Sequence, residues 1–405
     1  MDIIVNRGCG LDVHKETVVA CIMGTGIKKE VRTYSTMTND LLRLKQWLGE
    51  KEITHVAMES TGVYWRPVFN ILEDSLEVML VNARHVKNVP GRKTDVQDSE
   101  WLCKLLRSGL VRGSFIPPKE VRQLRDLTRY KRKLIQTMSA EKQRIQKILE
   151  DANIKLSSIA SDTFGVSGMR ILEELMKGEL RAEEMAELSK GRLRKRREKL
   201  KEALVGTMEE HHKFMIQVSL RHIKMMEELL ATVEQRIQEK IDRSFKEEYE
   251  LLKTIPPVED SASAILAEIG VNMDRFPTDM HLSSWAGLSP GNNESAGKKK
   301  PGTTTHGNKH LKTILVEIAW VGSRMKGIYL KAKYQSLVGR RGKKKALVAV
   351  AHKILLMCYH ILKDKVSYKE LGANYLDERK KDRIAKSYLK RLTNLGYTVT
   401  LQGAA

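Results

Sequence analysis

Two consecutive prolines, Pro117-Pro118, divide this sequence into stretches of different periodicity. Neither residue can donate a backbone hydrogen bond, and the ring fixes φ near about −65°, so no strand or helix runs through the pair. Upstream, β-rich runs alternate with helical spacings. Residues 8–23 read as two strands with a polar turn at 15–17, and residues 53–58 and 77–82 as further short apolar runs. Between them, residues 40–48 and 63–72 space their apolar side chains as helices do. Strands interleaved with helices imply a mixed α/β sheet layered with helices, here over residues 1–116.

Downstream the pattern turns helical. From residue 119 to 156 a heptad register runs Leu124, Leu127, Lys131, Leu134, Met138, Glu141, Ile145, Ile148. Charges at two seam positions make this either a coiled coil of specified register or a loosely packed helix. A second long helix, about 202–247, carries Met208, Met215, Val218, Met225, Leu229, Val233, Ile237 and Ile241. The two form an antiparallel hairpin or a dimer-forming coil, giving a helical coiled-coil region over 117–247. Residues 248–365 form a mostly helical C-terminal unit, and 366–405 a basic helix and tail. The Gly-, Pro-, Ser-, Thr- and Lys-rich stretch 288–305 is a loop. The segment 251–270 has the outline of a helix-hairpin-helix, but Pro256-Pro257-Val258-Glu259-Asp260 lacks the glycines of a phosphate-gripping turn and reads as a packing element.

Charge narrows the function. With 72 Lys and Arg against 50 Asp and Glu, the net charge is +22, an excess that repels itself unless a polyanion is the habitual partner. Residues 190–201 hold eight cations and one acid, and 298–345 fourteen cations and one acid, Glu317. Each run is a nucleic-acid contact or a solvated face. The four cysteines, Cys9, Cys21, Cys103 and Cys358, include no close pair, which excludes a zinc ribbon or a disulfide framework and fits a reducing compartment. The N-terminus lacks the order of a signal peptide, and the apolar stretch 346–362 is interrupted by His352, Lys353 and His360, so a cytoplasmic protein is expected.

Four acids stand out. Asp12 lies inside an apolar strand, where a carboxylate is costly unless something pairs with it. Glu59 closes the next candidate strand, at a rim where α/β sites collect. Asp95 and Asp98 lead into a helix at a spacing that puts them on one face, although Asp95 also suits an N-cap. Four carboxylates within about 5 Å would repel by roughly 3 kcal/mol per pair at an effective dielectric of 20. A divalent cation relieves that, and oxygen-only ligands favour Mg²⁺ or Mn²⁺.

The motifs Gly10-Leu11-Asp12-Val13-His14-Lys15, Met58-Glu59-Ser60-Thr61-Gly62 and Lys93-Thr94-Asp95-Val96-Gln97-Asp98 resemble those of the DEDD transposases of bacterial insertion sequences of the IS110 type. The resemblance extends through Ser283-Ser284-Trp285-Ala286-Gly287-Leu288-Ser289-Pro290, Asn293-Glu294-Ser295-Ala296-Gly297-Lys298 and Thr305-His306-Gly307-Asn308-Lys309-His310-Leu311-Lys312, covering about residues 5–365. It implies a RuvC-like (ribonuclease H) N-terminal domain whose metal-binding acids are Asp12, Glu59, Asp95 and Asp98. It also implies a C-terminal transposase domain in which Ser295 attacks DNA, with Ser289 the fallback. Arg92, Lys93, Arg192, Arg194, Lys298, Lys299, Lys300, Lys309 and Lys312 are the candidate nucleic-acid contacts. Family members are recombinases guided by a structured bridge RNA, acting on donor and target DNA as homo-oligomers in which the acids of one subunit meet the serine of another. A covalent phosphoserine link would conserve the phosphodiester bond energy, and no Gly-rich phosphate loop for ATP is present. The rivals are a metal-dependent nuclease or junction resolvase that uses water as nucleophile, and a non-catalytic nucleic-acid binder.

Overall fold

The structure is a computed structural model that describes residues 4–59, 62–82, 98–111, 113–291, 294–295, 297–299 and 304–398. The chain divides into two compact units, Met1–Ile116 and Pro117–Ala405.

The first unit is built on five strands: β1 (Arg7–Val13), β2 (Thr17–Gly24), β3 (Ile27–Ser35), β4 (His55–Glu59) and β5 (Glu77–Val81). Their order across the sheet is β3-β2-β1-β4-β5. The β1–β2 and β2–β3 pairs are antiparallel, whereas β1–β4 and β4–β5 are parallel. Alternation along β1 decides the layering. Cys9, Leu11 and Val13 point to one face and pack with Leu41, Leu44, Trp47 and Leu48 of α1 (Thr38–Glu50) and Val68, Phe69 and Leu72 of α2 (Trp65–Leu72). Gly8 and Gly10 face the other way, toward α3 (Asp98–Arg107). A Cβ on Gly10 would fall 2.0 Å from the Ser99 carbonyl oxygen and 2.5 Å from the Cys103 nitrogen. Glycine therefore lets helix backbone rest directly on strand backbone. The Cys103 thiol reinforces the contact by donating to the Gly8 carbonyl at 3.1 Å.

Strand β3 is an element that the periodicity reading omits. Its sequence, IKKEVRTYS, is charged and largely exposed, as befits an edge strand that must not template pairing with another chain.

The second unit is helical. Its spine is α4 (Lys119–Asp151), with Pro118 as N-cap. Short helices follow: α5 (Leu156–Ile159), α6 (Val166–Lys177), α7 (Ala182–Glu187) and α8 (Arg197–Ala203). The chain then returns as α9 (Glu210–Ser244). Contacts along the pair show antiparallel packing within the chain. Lys240 donates to Gln123 (2.6 Å), Lys131 pairs with Glu234 (2.8 Å), His222 with Glu141 (3.2 Å) and His212 with Asp151 (3.1 Å). Both charged seam positions thus find partners on the opposite helix, which fixes the register.

The second helix departs from the expected 202–247. It begins at Glu210, because Gly206 passes so close to Ala152 that a Cβ would lie 2.4 Å from its carbonyl oxygen, and Thr207 donates to that oxygen at 2.8 Å. Its buried stripe is Ile216, Ser219, Ile223, Met226, Ile237 and Ile241. Of the seam residues expected there, Ile237 and Ile241 are buried, while Val218, Met225 and Leu229 are exposed.

The remaining helices are α10 (Lys246–Lys253), α11 (Ala262–Ile269), α12 (Asp279–Trp285), α13 (Lys309–Gly322), α14 (Tyr329–Asp364), α15 (Tyr375–Glu378) and α16 (Lys381–Asn394). Helix α14 is broken at Gly342, whose φ of 74° is left-handed. One window of α14 is long and apolar enough to cross a membrane by composition, but 61 % of it is buried inside the protein.

Candidate functional site

The strand register sets two of the four acids, Asp12 and Glu59, side by side, and a third, Asp98, begins the helix that covers their face. Leu11 pairs with Met58 across the parallel β1–β4 ladder, so the next residues, Asp12 and Glu59, share a face at the carboxyl ends of adjacent strands. That face is the one α3 covers. Gly8 meets Leu106 and Gly10 meets Ser99 and Cys103, so successive residues on this face of β1 advance toward the start of α3. Asp98 is the first residue of that helix. The same face carries Ala57 beside Leu102, Leu105 and Leu106, which holds α3 across both strands. Lys29 of β3 adds an ion pair to Glu100 at 3.0 Å.

The Asp12 end of this face is polar and half-open. The Asp12 side chain keeps 24 % of its surface and accepts a 3.2 Å hydrogen bond from His14 Nε2. Among the described residues no three His, Cys, Asp or Glu side chains close into a ligand cluster. Asp95, Arg92 and Lys93 lie outside the described residues, as do Ser60 and Thr61. The candidate donors Asp12, Glu59 and Asp98 are all carboxylates, and hard oxygen donors are the kind that suit a divalent cation such as Mg²⁺.

Ser295 belongs to the second unit, on a small β-hairpin. Strand β6 (Glu294–Ser295) pairs with β7 (Lys298–Lys299), Ser295 opposite Lys298. Gly297, just before β7, has φ 73°, a left-handed conformation that glycine adopts without strain. Ser295 occupies the last position before the hairpin tip. Lys300 lies outside the described residues.

The hairpin's neck is tightly built. Gly287 and Gly307 cross so closely that a Cβ on Gly307 would lie 2.3 Å from the Gly287 nitrogen. Pro290 bridges Thr304, and Thr305 donates to the Ser289 carbonyl at 3.3 Å. Ser289 itself shares a 2.8 Å hydrogen bond with buried Ser283 at this neck. Lys312 donates to Thr304 Oγ1 at 2.5 Å, so its ammonium braces the neck, whereas Lys309 is exposed at the start of α13.

The anchor under the neck went unnoticed in the sequence. Asn308 caps α13, its Oδ1 accepting from the amides of His310 (3.0 Å) and Leu311 (3.1 Å). Its Nδ2 donates to Glu268 at 2.6 Å, and Arg129 of α4 donates to both Glu268 oxygens at 2.8 Å. Glu268 is 1 % exposed. Burial alone would raise its pKa, but the hydrogen bonds from Arg129 and Asn308, with the charges of Arg129 and Arg125, hold the carboxyl below the usual range. Its one sequence signal is an acid inside the apolar run 265–269.

The other basic candidates, Arg192 and Arg194, stand exposed on and beside a 3-10 turn (Leu193–Arg196) in the segment joining α4 to α9.

Comparison with known families agrees with this architecture. The family model DEDD_Tnp_IS110, described as a transposase, matches residues 9–154. The model of the Transposase IS116/IS110/IS902 family matches residues 249–335. No curated protein matches the chain. The first match spans the strands of Asp12 and Glu59 and the helix of Asp98; the second spans the Ser295 hairpin and its Glu268 anchor. In this order they cover more than half of the sequence, and the chain belongs to the IS110-type DEDD transposases, DNA strand-transfer enzymes of insertion sequences.

Proposed function

We propose that this transposase cuts and rejoins DNA by covalent catalysis, with Ser295 as nucleophile and Asp12, Glu59, Asp95 and Asp98 as the ligands of Mg²⁺ or Mn²⁺. The observation that supports it most is the β1–β4 register, which sets Asp12 and Glu59 side by side on the face that α3 covers, toward the end where Asp98 begins the helix. When bound there, the ion would polarise the scissile phosphate and neutralise charge that develops on it.

The protein's own groups supply the rest. The Ser295 hydroxyl attacks phosphorus, its proton leaves, an Oγ–P bond forms, and the bond from phosphorus to the deoxyribose oxygen breaks, that oxygen taking up a proton. A hydroxyl of the incoming strand then attacks the same phosphorus and releases Ser295. Bond energy is conserved, so neither step needs a nucleotide cofactor. Lys298, Lys299 and Lys300 follow the serine in sequence and would hold the phosphate; Arg92 and Lys93 would do so beside the acids. Acting on donor and target DNA, the enzyme works as a homo-oligomer with a guide RNA that supplies sequence choice.

A nicked suicide substrate tests the reading. Wild-type protein is expected to accumulate covalently attached to DNA, with the adduct on the peptide containing Ser295. Ser295→Ala should lose the adduct and strand exchange, and Asp12→Ala should lose cleavage while still binding DNA. Free cleaved ends without an adduct, and full cleavage by Ser295→Ala, would replace the serine with water as nucleophile.

A further inference from the structure

We infer that the helical insert at the end of the α4–α9 pair, residues 152–209, holds a nucleic-acid phosphodiester backbone in two adjoining grooves walled by Lys190, Arg192, Arg194, Lys195, Arg196 and Lys199. The insert is a built module. Ile154, Leu156, Ile171, Leu172, Met185 and Leu200 join Ile145 and Leu149 of α4 and Ile216 of α9 in one core.

Its basic segment is held in place. The Lys190 amide donates to Ser167 Oγ at 2.9 Å, Arg196 donates to the Ile159 carbonyl at 3.4 Å, and Arg197 pairs with Glu187 at 2.8 Å. Fixed in this way, the segment borders one open groove of ≈ 510 Å³ against residues 159–167 and a second of ≈ 810 Å³ against Ser158 and Ile159. Ile159 and Arg196 line both.

The concentration of cations without a carboxylate partner distinguishes this surface from an ordinary solvated face. On the helices around it, Lys177 pairs with Glu174 (2.7 Å) and Lys213 with Glu210 (2.8 Å), while the exposed Arg170, Arg221 and Lys224 have no carboxylate partner among the described residues but stand singly along their helices. In the insert, Arg197 and Lys201 have carboxylate partners. Lys190, Arg192, Arg194, Lys195, Arg196 and Lys199 are exposed and have none among the described residues. Of the two acids on the groove walls, Glu198 pairs with Lys201 and Asp162 accepts the Phe164 amide. These six cations within residues 190–199, against a single acid on the groove walls that has no cation partner among the described residues, Asp162, fit a ligand that brings its own regularly spaced negative charge.

The lining also defines what is read. It includes no aromatic ring on which a base could stack and no Asn or Gln amide to pair with a base edge. A lining dominated by Arg and Lys suits contact chiefly to the phosphate backbone. This inference does not rest on the strand-transfer chemistry, because its readout is equilibrium binding and Ser295 takes no part.

The test measures binding of the full chain against salt on two probes of equal length, a random-sequence DNA duplex and an RNA stem. The variant is Arg192→Gln/Arg194→Gln/Lys195→Gln/Lys199→Gln. On the probe that the insert holds, the log–log slope is expected to flatten by about three to four units, at an unchanged unfolding temperature. Flattening on RNA alone would assign the grooves to RNA, on DNA alone to DNA, and either outcome sustains the site. Arg192→Lys/Arg194→Lys should keep the parental slope. An unchanged slope on both probes would overturn the inference. So would an equal flattening when the four paired cations Lys177, Lys213, Arg236 and Lys253 are neutralised instead.

Discussion

Glu268 shows how a single residue binds three helices. Its carboxylate takes two hydrogen bonds from Arg129 of α4 and one from Asn308, the cap of α13, so the root of the Ser295 hairpin is tied to the spine of its unit. Removing the charge while keeping the shape isolates that role. Glu268→Gln is expected to destabilise the protein by about 2–3 kcal/mol at neutral pH, less than for a wholly buried pair because Arg129 is partly exposed. The sign of the pH dependence follows from the lowered pKa. The ionised form is favoured in the folded state, so the wild-type advantage is fully present above the ordinary carboxylate value of about 4.3. As pH falls below that value and through the depressed folded one, the advantage disappears. Urea unfolding of both proteins from pH 7 to pH 3 should show two curves that converge at the acid end. A constant gap would mean that Glu268 contributes shape and not charge.

At the scale of elements, legibility depended on whether a pattern had one structural solution. β1, β2, β4 and β5 and helices α1 and α2 lie where alternation and helical spacing place them, since each buries one continuous apolar face. β3 escaped because an exposed edge strand carries charge where alternation would be read. Helix α9 has apolar residues on two stripes. Periodicity cannot tell the buried Ile216, Ile223 and Met226 from the exposed Val218, Met225 and Leu229. The acids were conspicuous as charges among apolar neighbours, but the device that brings α3 to them, Gly10, looks in sequence like any strand glycine. Gly10→Val tests that device. The added atoms meet the backbone of Ser99 and Cys103, which no rotamer change relieves. A loss of about 2–3 kcal/mol by chemical denaturation is expected. Binding of Mn²⁺, followed by its effect on water relaxation, should weaken along with it, since α3 carries Asp98. Unaltered stability would show that α3 does not rest on β1 as closely as the register requires.

For the whole molecule, the two proposed half-sites stand in different compact units: Asp12, Glu59 and Asp98 in residues 1–116, Ser295 in residues 117–405. That division has a genetic consequence under the proposed mechanism. If the acids of one subunit work with the serine of another, Ser295→Ala and Asp98→Ala disable different parts of a composite site. Each variant alone should give no strand exchange, because every site lacks either its nucleophile or its metal ligand. Mixed before assembly, the two should recover activity, because some sites then combine intact acids with an intact serine. In a dimer of random composition half the molecules are mixed. Such a dimer has one composite site with both defects and one with neither, so recovery of about a quarter of the wild-type sites is the ceiling if each acts independently. The adduct gives a second readout: DNA should be attached only to Asp98→Ala subunits, which a tag of different mass on each variant would reveal. Attachment requires an intact Ser295, and the acids that assist it come from the partner. Complete silence of the mixture, with mixed oligomers verified by the two tags, would show that each subunit must supply both acids and serine to its own site.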